Sequence, residues 1–228
     1  MKKVCFLEFE GVIASFKNYS PVGERINSFL KELTGFCKEN NIELFLVCGY
    51  YEGVAKKKFL DNGFNSFFDE THFVFVDDYY INNKKEEDKN LHLDNLKKDS
   101  EFNDSFFKQV LIQRILREKN LVESDALLLC NDIWVDGYYT TRFSKIDFAL
   151  FKNNLTDRGN KVELINGLVY FDLDFSSVRG LLIDFPKLDF SSLNKYVFEV
   201  MKSVLVEDSV KDSIRENILK KRFGRIEG

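Results

Sequence analysis

Lys2-Lys3-Val4-Cys5-Phe6-Leu7-Glu8-Phe9-Glu10-Gly11-Val12-Ile13-Ala14 is the stretch from which the fold of this 228-residue chain can be argued. An apolar run bounded by lysines is typical of a buried β-strand. The run ends in two glutamates with one residue between them, and alternate residues of a strand point to the same face of the sheet. Glu8 and Glu10 are therefore expected to share a face, and Gly11 lets the backbone turn tightly after them.

The two glutamates come at the position where open α/β sheets bind ligands, the carboxyl end of a strand. Paired carboxylates repel each other there unless a cation or a shared proton relieves them. Mg²⁺ is the expected cation, because this hard ion is held by one or two carboxylates together with a substrate phosphate.

Further apolar runs predict strands that alternate with helices along the chain. The predicted strands are Ile42–Cys48, Phe73–Val76, Ala126–Cys130 and Ile146–Leu150. A strand, a helix and a second strand in this length form a right-handed βαβ unit with parallel strands. The sequence therefore predicts an α/β fold with a doubly wound, mostly parallel sheet in a single domain, residues 1–228.

Helical periodicity and capping residues predict the intervening helices. One helix is expected to open at Ser20-Pro21 and to bury apolar residues from Val22 to Cys37. The next runs from about Glu52 to Asp61 and ends at Asn62-Gly63, and a third is capped by Asn103 or Asp104. Two more are expected near Ser191–Leu205 and Asp208–Phe223.

Two segments leave alternatives open. Asn166-Gly167 is a strong two-residue hairpin signal between Val162–Ile165 and Leu168–Tyr170, but Leu168–Tyr170 could instead be a further strand of the main sheet. Residues 82–100 are charged and poor in apolar side chains. They are interpreted as a solvated loop or a small insertion, with a mobile lid over the site as the alternative.

Composition limits the partners that the protein can have. A net charge of −4 gives no electrostatic footprint for nucleic acid. Acids interrupt the first apolar run, and no apolar run approaches ~18 residues, so neither an export signal nor a membrane span is expected. The four cysteines form no Cys-x-x-Cys pair, which argues against zinc. Cys5, Cys48 and Cys130 lie in apolar runs, which indicates buried reduced thiols and a cytoplasmic location.

The first strand resembles motif I of the haloacid dehalogenase (HAD) superfamily, in which an apolar strand is followed by Asp-x-Asp-Gly-Val. Gly11-Val12-Ile13 matches the end of that motif, while Glu8 and Glu10 replace both aspartates. In that superfamily the first acid is the nucleophile that accepts the phosphoryl group, and the second is the general acid and base. The resemblance implies these two catalytic roles for Glu8 and Glu10.

Motifs II and III have counterparts further along. Motif II is an apolar strand ending in Ser or Thr, and here Leu46-Val47-Cys48-Gly49 places a thiol where the phosphate-binding hydroxyl belongs. The resemblance assigns Cys48 and Gly49 to substrate binding, although a packed thiol is the simpler interpretation of Cys48. Motif III is a lysine at the start of the helix before the fourth strand. Lys108 fits that place, where it would neutralise carboxylate and phosphate charge.

Motif IV is an acidic loop after an apolar strand, usually Gly-Asp-Asp-x-x-x-Asp. Leu128-Leu129-Cys130-Asn131-Asp132-Ile133-Trp134-Val135-Asp136-Gly137 keeps that frame, with Asn131 in place of the first aspartate. The implied metal set is Glu8, Glu10, Asn131, Asp132 and Asp136. Arg142 follows the acidic loop, and we expect it either to contact a bound anion or to pair with Asp147 or another nearby acid.

The resemblance covers most of the first two-thirds of the chain and implies a HAD-like Rossmannoid fold with at most a minimal cap. The implied function is Mg²⁺-dependent hydrolysis of a phosphate ester, weakened or lost because four motif positions are altered. A phosphorylated small molecule or a phosphoprotein is the implied partner.

Two other functions compete with this one. The chain could be a HAD-like protein that binds or interacts without catalysis, or an α/β domain with a structural role. Bound Mg²⁺ among the acids would favour the first two interpretations. A salt bridge from Lys108 or Arg142 that fills the acidic pocket would favour the structural role.

Overall fold

The computed structural model describes residues 1–15, 21, 23, 25–49, 52–76, 104–132, 136–151, 163–165, 168–171, 175–187, 189–193 and 195. The predicted loop at 82–100 and the predicted helix at 208–223 lie outside these residues. So does most of the predicted helix at 191–205.

The described strands form one seven-stranded sheet in the order β3-β2-β1-β4-β5-β7-β6. Every neighbouring pair in this sheet is parallel except β6 and β7, which are antiparallel. The predicted mostly parallel sheet is therefore confirmed. The strands are β1 (Val4–Glu8), β2 (Glu43–Cys48), β3 (Phe73–Phe75), β4 (Ala126–Cys130), β5 (Asp147–Phe151), β6 (Glu163–Ile165) and β7 (Leu168–Phe171).

Helices cover both faces of the sheet. The described α-helices are α1 (Ile26–Glu39), α2 (Glu52–Asp61), α3 (Asp104–Glu118) and α4 (Phe175–Ile183). Apolar side chains of α1, α2 and α4 pack on one face, and those of α3 pack on the other. None of the helices in the described ranges is long and apolar enough to cross a membrane.

Strand β1 lies at the centre of the sheet and is buried on both sides. Cys5 and Leu7 pack into the core beneath α1, while Val4 and Phe6 pack into the core beneath α3. A strand buried on both faces needs an unbroken apolar run, and this explains the composition of residues 4–7.

The chain builds the sheet outwards from β1 in both directions. The path through β2 and β3 extends one side, and β4 and β5 then extend the other. The strand order therefore reverses between β1 and β4. Open α/β sheets bind their ligands at such a reversal, outside the carboxyl ends of the strands. Glu8 ends β1 and Cys130 ends β4, so the predicted site residues that follow them lie at this point.

The predicted start of α1 is wrong. The helix begins at Ile26, and Pro21 instead forms an isolated bridge with Ala14, which also bridges to Glu10. The cause is the tight turn after β1, in which Gly11 has a φ of 80° and donates its N–H to the Ala14 carbonyl at 2.7 Å. Ala14, at the end of this turn, pairs with Pro21 through its backbone. The proline therefore does not open the helix.

Other boundaries agree with the sequence more closely. α2 and β4 begin and end where predicted, whereas β2 and β5 each begin one residue later than predicted. The segment after Asn166-Gly167 fulfils both alternatives, because β7 pairs with β6 as a hairpin and also with β5 as a strand of the main sheet. Helix α4 and a π-helical segment at Thr140–Ser144 were not predicted.

Gly63 offers a clean test of local backbone strain. Its φ is 72°, and a Cβ built on it would meet nothing within 4 Å. Gly63→Ala is therefore expected to destabilise the protein through the left-handed conformation alone, by about 1 kcal/mol. The measurement is the midpoint of urea unfolding.

Gly35→Ala is the matched control, because Gly35 lies inside α1 and is equally open around its Cα. That substitution is expected to stabilise the protein by about 1 kcal/mol, since alanine is the better helix former. Shifts of the same sign in the two variants would contradict the assignment of Gly63 as a left-handed helix end.

Candidate functional site

Three predicted site residues from distant parts of the chain meet at the reversal between β1 and β4. Lys108 donates a hydrogen bond to Oε1 of Glu8 and another, 2.6 Å long, to Oδ1 of Asp136. The side chains are almost fully buried, with exposed fractions of 4% for Lys108, 7% for Glu8 and 1% for Asp136. We call these three residues the buried triad.

The sequence of α3 explains why a lysine points inwards here. Leu111 and Ile112 follow Lys108 by three and four residues, so the three side chains share one helix face. Both apolar residues are buried against the sheet, and Lys108 extends the same face towards the end of β1. An inward lysine at this place costs desolvation energy, which the two carboxylates offset.

Electrostatics in the triad favour one more positive charge or proton than Lys108 supplies. Burial and then the charge of Asp136 raise the pKa of Glu8 well above its usual range, and Lys108 lowers it only in part. Burial alone would lower the pKa of Lys108, but Asp136 and Glu8 raise it well above the usual value. Lys108 therefore stays charged, and the two carboxylates still repel each other.

The second oxygens of both carboxylates show the same imbalance. Oε2 of Glu8 and Oδ2 of Asp136 are buried and have no hydrogen-bond donor. A buried acceptor without a donor costs about 1–3 kcal/mol, and such groups are rare in folded proteins. The arrangement is that of a site which a proton or a cation would complete.

Glu10 has a different set of partners from Glu8. Its Oε1 accepts a hydrogen bond from the Cys48 thiol at 2.7 Å, and its Oε2 accepts one from the Gly49 N–H at 3.2 Å. Burial raises the pKa of Glu10, while these hydrogen bonds and the charge of Lys108 lower it in part. Glu8 thus shares Lys108 with Asp136, whereas Glu10 is held by Cys48 and Gly49.

The residues after β4 supply Asp136 from a helical turn. The N–H groups of Asp136 and Gly137 both donate to the Asp132 carbonyl, at 2.8 and 3.2 Å. Asn131 and Asp132 are half-buried at the end of β4. Burial raises the pKa of Cys130 well above its usual value, and Asp136, Glu8 and Asp132 raise it further. Cys130 therefore stays a neutral thiol beside the triad.

Arg142 is exposed and contacts aromatic side chains. Its guanidinium donates to the Tyr138 hydroxyl and lies over the rings of Tyr138 and Phe143, at 5.6 and 5.4 Å. Asp147, one of the acids expected to pair with it, forms a salt bridge with Lys2. Contact between Arg142 and an anion stays a prediction.

Sequence reasoning missed a set of buried polar side chains beside the triad. Thr140 and Ser144 are buried on the π-helical segment, and the Ser144 hydroxyl donates to Gln109 on α3. Asp136, Thr140 and Ser144 recur every four residues, which is the spacing of one helix face. That spacing was the available signal, and it marks the contact between this segment and α3.

Of the predicted metal set, the structure brings Glu8 and Asp136 together around Lys108. Within the described ranges, no three His, Cys, Asp or Glu side chains converge as metal ligands. Glu8 and Asp136 nevertheless each present a buried oxygen without a donor, and one or two carboxylates with a phosphate are enough for Mg²⁺. These two residues fit the ion, and Mg²⁺ stays a prediction.

The functional interpretation of this site rests on its geometry. Comparison with protein-family models, with curated proteins and with solved structures finds no match. The buried triad and the contacts of Glu10 are therefore the observations that bear on function.

The buried triad predicts a large difference between two lysine substitutions. Lys108→Met leaves Glu8 and Asp136 buried without their shared cation, which is expected to cost about 3–5 kcal/mol of folding free energy. Lys119→Met is the control, because Lys119 forms an equally short 2.6 Å contact with Glu43 at a half-exposed site. A surface pair of that kind contributes about 1 kcal/mol or less.

The measurement is the free energy of unfolding in urea for both variants. The Lys108→Met variant should also recover stability when Glu8→Gln and Asp136→Asn are added, because the uncompensated charges are then gone. Similar losses in the two lysine variants would contradict the account of a buried charge cluster.

Proposed function

We propose that this chain is a HAD-like phosphohydrolase with a remodelled site, which hydrolyses a phosphate ester slowly with Mg²⁺. One observation carries the proposal: Glu8 and Asp136 each keep a buried oxygen without a donor at the reversal of the strand order. A purely structural ion pair gains nothing from leaving both oxygens unpaired. In a site that binds a cation and a phosphate, these oxygens are free to bind the cation.

Two further features support the HAD-like assignment. The order of β3, β2, β1, β4 and β5 is that of a doubly wound sheet, whose ligand site lies at the reversal. Lys108 reaches Glu8 across 100 positions of sequence and Asp136 across 28. These residues are the counterparts of motifs III, I and IV, and the fold brings them into direct contact.

The proposed reaction assigns one role to each side chain. The Glu8 carboxylate attacks phosphorus, the bond to the ester oxygen breaks, and the leaving oxygen takes a proton from the Glu10 carboxyl. Glu10 then takes a proton from water, the water oxygen attacks the acyl phosphate on Glu8, and inorganic phosphate leaves. Lys108 offsets the charge of Glu8 and of the phosphoryl oxygens throughout.

Glu8 and Asp136 would hold the Mg²⁺ ion. When bound, the ion supplies neutralisation of negative charge on the phosphoryl oxygens. The raised pKa of Glu10 fits its role as the proton donor, because burial keeps the carboxyl protonated to a higher pH than usual. The substrate class is a phosphorylated small molecule or a phosphoprotein.

A second candidate is a HAD-like binding protein without catalysis. The observation that favours it is the closure of the site, in which Lys108 bridges both acids and every triad side chain is at most 7% exposed. Cys48 and Gly49 likewise engage both oxygens of Glu10. A salt bridge from Lys108 to these acids is also the contact that was expected if the domain has a structural role.

Phosphatase assays separate these functions. The substrates are an aryl phosphate, a sugar phosphate, a nucleoside monophosphate and a phosphoserine peptide, each with and without Mg²⁺. The proposal expects Mg²⁺-dependent turnover that Glu8→Gln lowers at least about a hundredfold, because the amide cannot form the acyl phosphate. Glu43→Gln, a change at the opposite end of β2, should leave turnover intact.

If the wild type shows no phosphatase activity, the double variant Glu8→Asp/Glu10→Asp distinguishes the remaining explanations. Activity that appears only in the double variant would mean that the scaffold is intact and the native site is non-catalytic, as the second candidate holds. Silence in both proteins, together with no binding of inorganic phosphate in calorimetry, would contradict the proposed function.

A further inference from the structure

The contacts of Glu10 give the carboxyl end of β2 a role that the motif comparison does not assign. That comparison places Cys48 and Gly49 on the substrate phosphate. In the structure both residues instead hold Glu10, with Cys48 donating to Oε1 and the Gly49 N–H donating to Oε2. Cys48 is fully buried and Glu10 is 3% exposed, so the contacts lie out of bulk solvent.

Glu10 differs from Glu8 in how completely it is held. Both Glu10 oxygens have a donor, one from the last residue of β2 and one from Gly49 after it, whereas Glu8 keeps one oxygen without a donor. The backbone of Glu10 is held as well, because it bridges to Ala14 next to the turn at Gly11. A carboxyl held at its backbone and at both oxygens has little rotational freedom left.

The length of the Glu10 side chain suits its contact with the Cys48 thiol. A glutamate places its carboxyl one C–C bond, about 1.5 Å, further out than an aspartate. From a 2.7 Å contact, an aspartate at position 10 would withdraw beyond hydrogen-bonding range of the thiol. The altered acid of motif I and the altered donor of motif II are thus compatible with each other.

We propose that Cys48 is a positioning residue for Glu10, and that Cys48 and Gly49 together fix the Glu10 carboxyl at the site instead of binding substrate. The proposal deepens the function proposed above and rests on it for its catalytic meaning. The hydrogen bond itself does not depend on that function. It can therefore be tested by spectroscopy as well as by kinetics.

Infrared spectroscopy of the S–H stretch tests the contact directly. The Cys48 band is identified by its disappearance in Cys48→Ala. A thiol that donates to Glu10 should show a band that moves to higher wavenumber in Glu10→Ala and in Glu10→Asp, because the acceptor is lost or out of reach. The band should stay near its wild-type position in Glu10→Gln, whose side-chain carbonyl still accepts.

Cys37 supplies the internal reference. It lies on α1, and burial alone raises the pKa of this thiol to about 12. Its band should not respond to any change at Glu10. Should Glu10→Ala not fold, the difference between Glu10→Gln and Glu10→Asp decides in its place. A Cys48 band that ignores all three substitutions would overturn the proposal.

Kinetics then distinguish positioning from substrate binding. With a substrate that the wild type turns over, Cys48→Ala should lower kcat about tenfold or more while KM changes less than about twofold, because a misplaced acid affects the reaction step. Cys48→Ser, which keeps a donor, should retain most of kcat. A rise in KM with kcat unchanged would assign Cys48 to the substrate and overturn the proposal.

The two arms fail separately. If no phosphate ester is turned over but the Cys48 band responds to Glu10, the proposed function fails and the Cys48–Glu10 contact stands. If turnover is present and the band does not respond, the contact fails and the phosphohydrolase stands.

Discussion

The burial of one lysine between two carboxylates is the constraint on which the site depends. Lys108 can be buried at the carboxyl end of the central strand β1 only because Glu8 and Asp136 both accept its hydrogen bonds. Each partner comes from a different element, so the contact ties α3 to the end of β1 and to the helical turn after β4. The two acids remain incompletely satisfied, and this imbalance separates the triad from an ordinary structural ion pair.

The sheet makes this arrangement possible. β1 is apolar on both faces up to Leu7, which places the first polar side chain, Glu8, at the end of the strand and not inside the core. The strand order then reverses between β1 and β4, which is where open α/β sheets bind their ligands. α3 packs on one face of the sheet at this point, and its inward lysine brings the compensating charge.

Much of the fold could be predicted because its signals are local. The apolar run of β4 and the glycine that ends α2 define their elements within a few residues, and both are found as predicted. The predicted start of α1 was wrong because Ser20-Pro21 has the local features of a helix start, whereas Pro21 in fact pairs with Ala14. The π-helical segment at Thr140–Ser144 was not predicted.

The site was predictable in its members but not in its contacts. The resemblance to HAD motifs I, III and IV singled out Glu8, Lys108 and Asp136, which the fold brings together. The motifs could not show that Glu8 approaches Asp136 through Lys108, because that depends on where α3 lies. They also could not show that Cys48 and Gly49 donate to Glu10. Glu10 lies beyond the end of β1 at Glu8, and strand alternation does not predict the partners of a residue outside the strand.

The central claim is that a cation completes the pair of Glu8 and Asp136. The most direct measurement is the anomalous signal of Mn²⁺, as a stand-in for Mg²⁺, in crystals grown with inorganic phosphate. A peak about 2.1 Å from an oxygen of each carboxylate is expected. Crystals in which Mn²⁺ leaves these two carboxylates without an anomalous peak would contradict the claim, and would mean that a shared proton completes the pair instead.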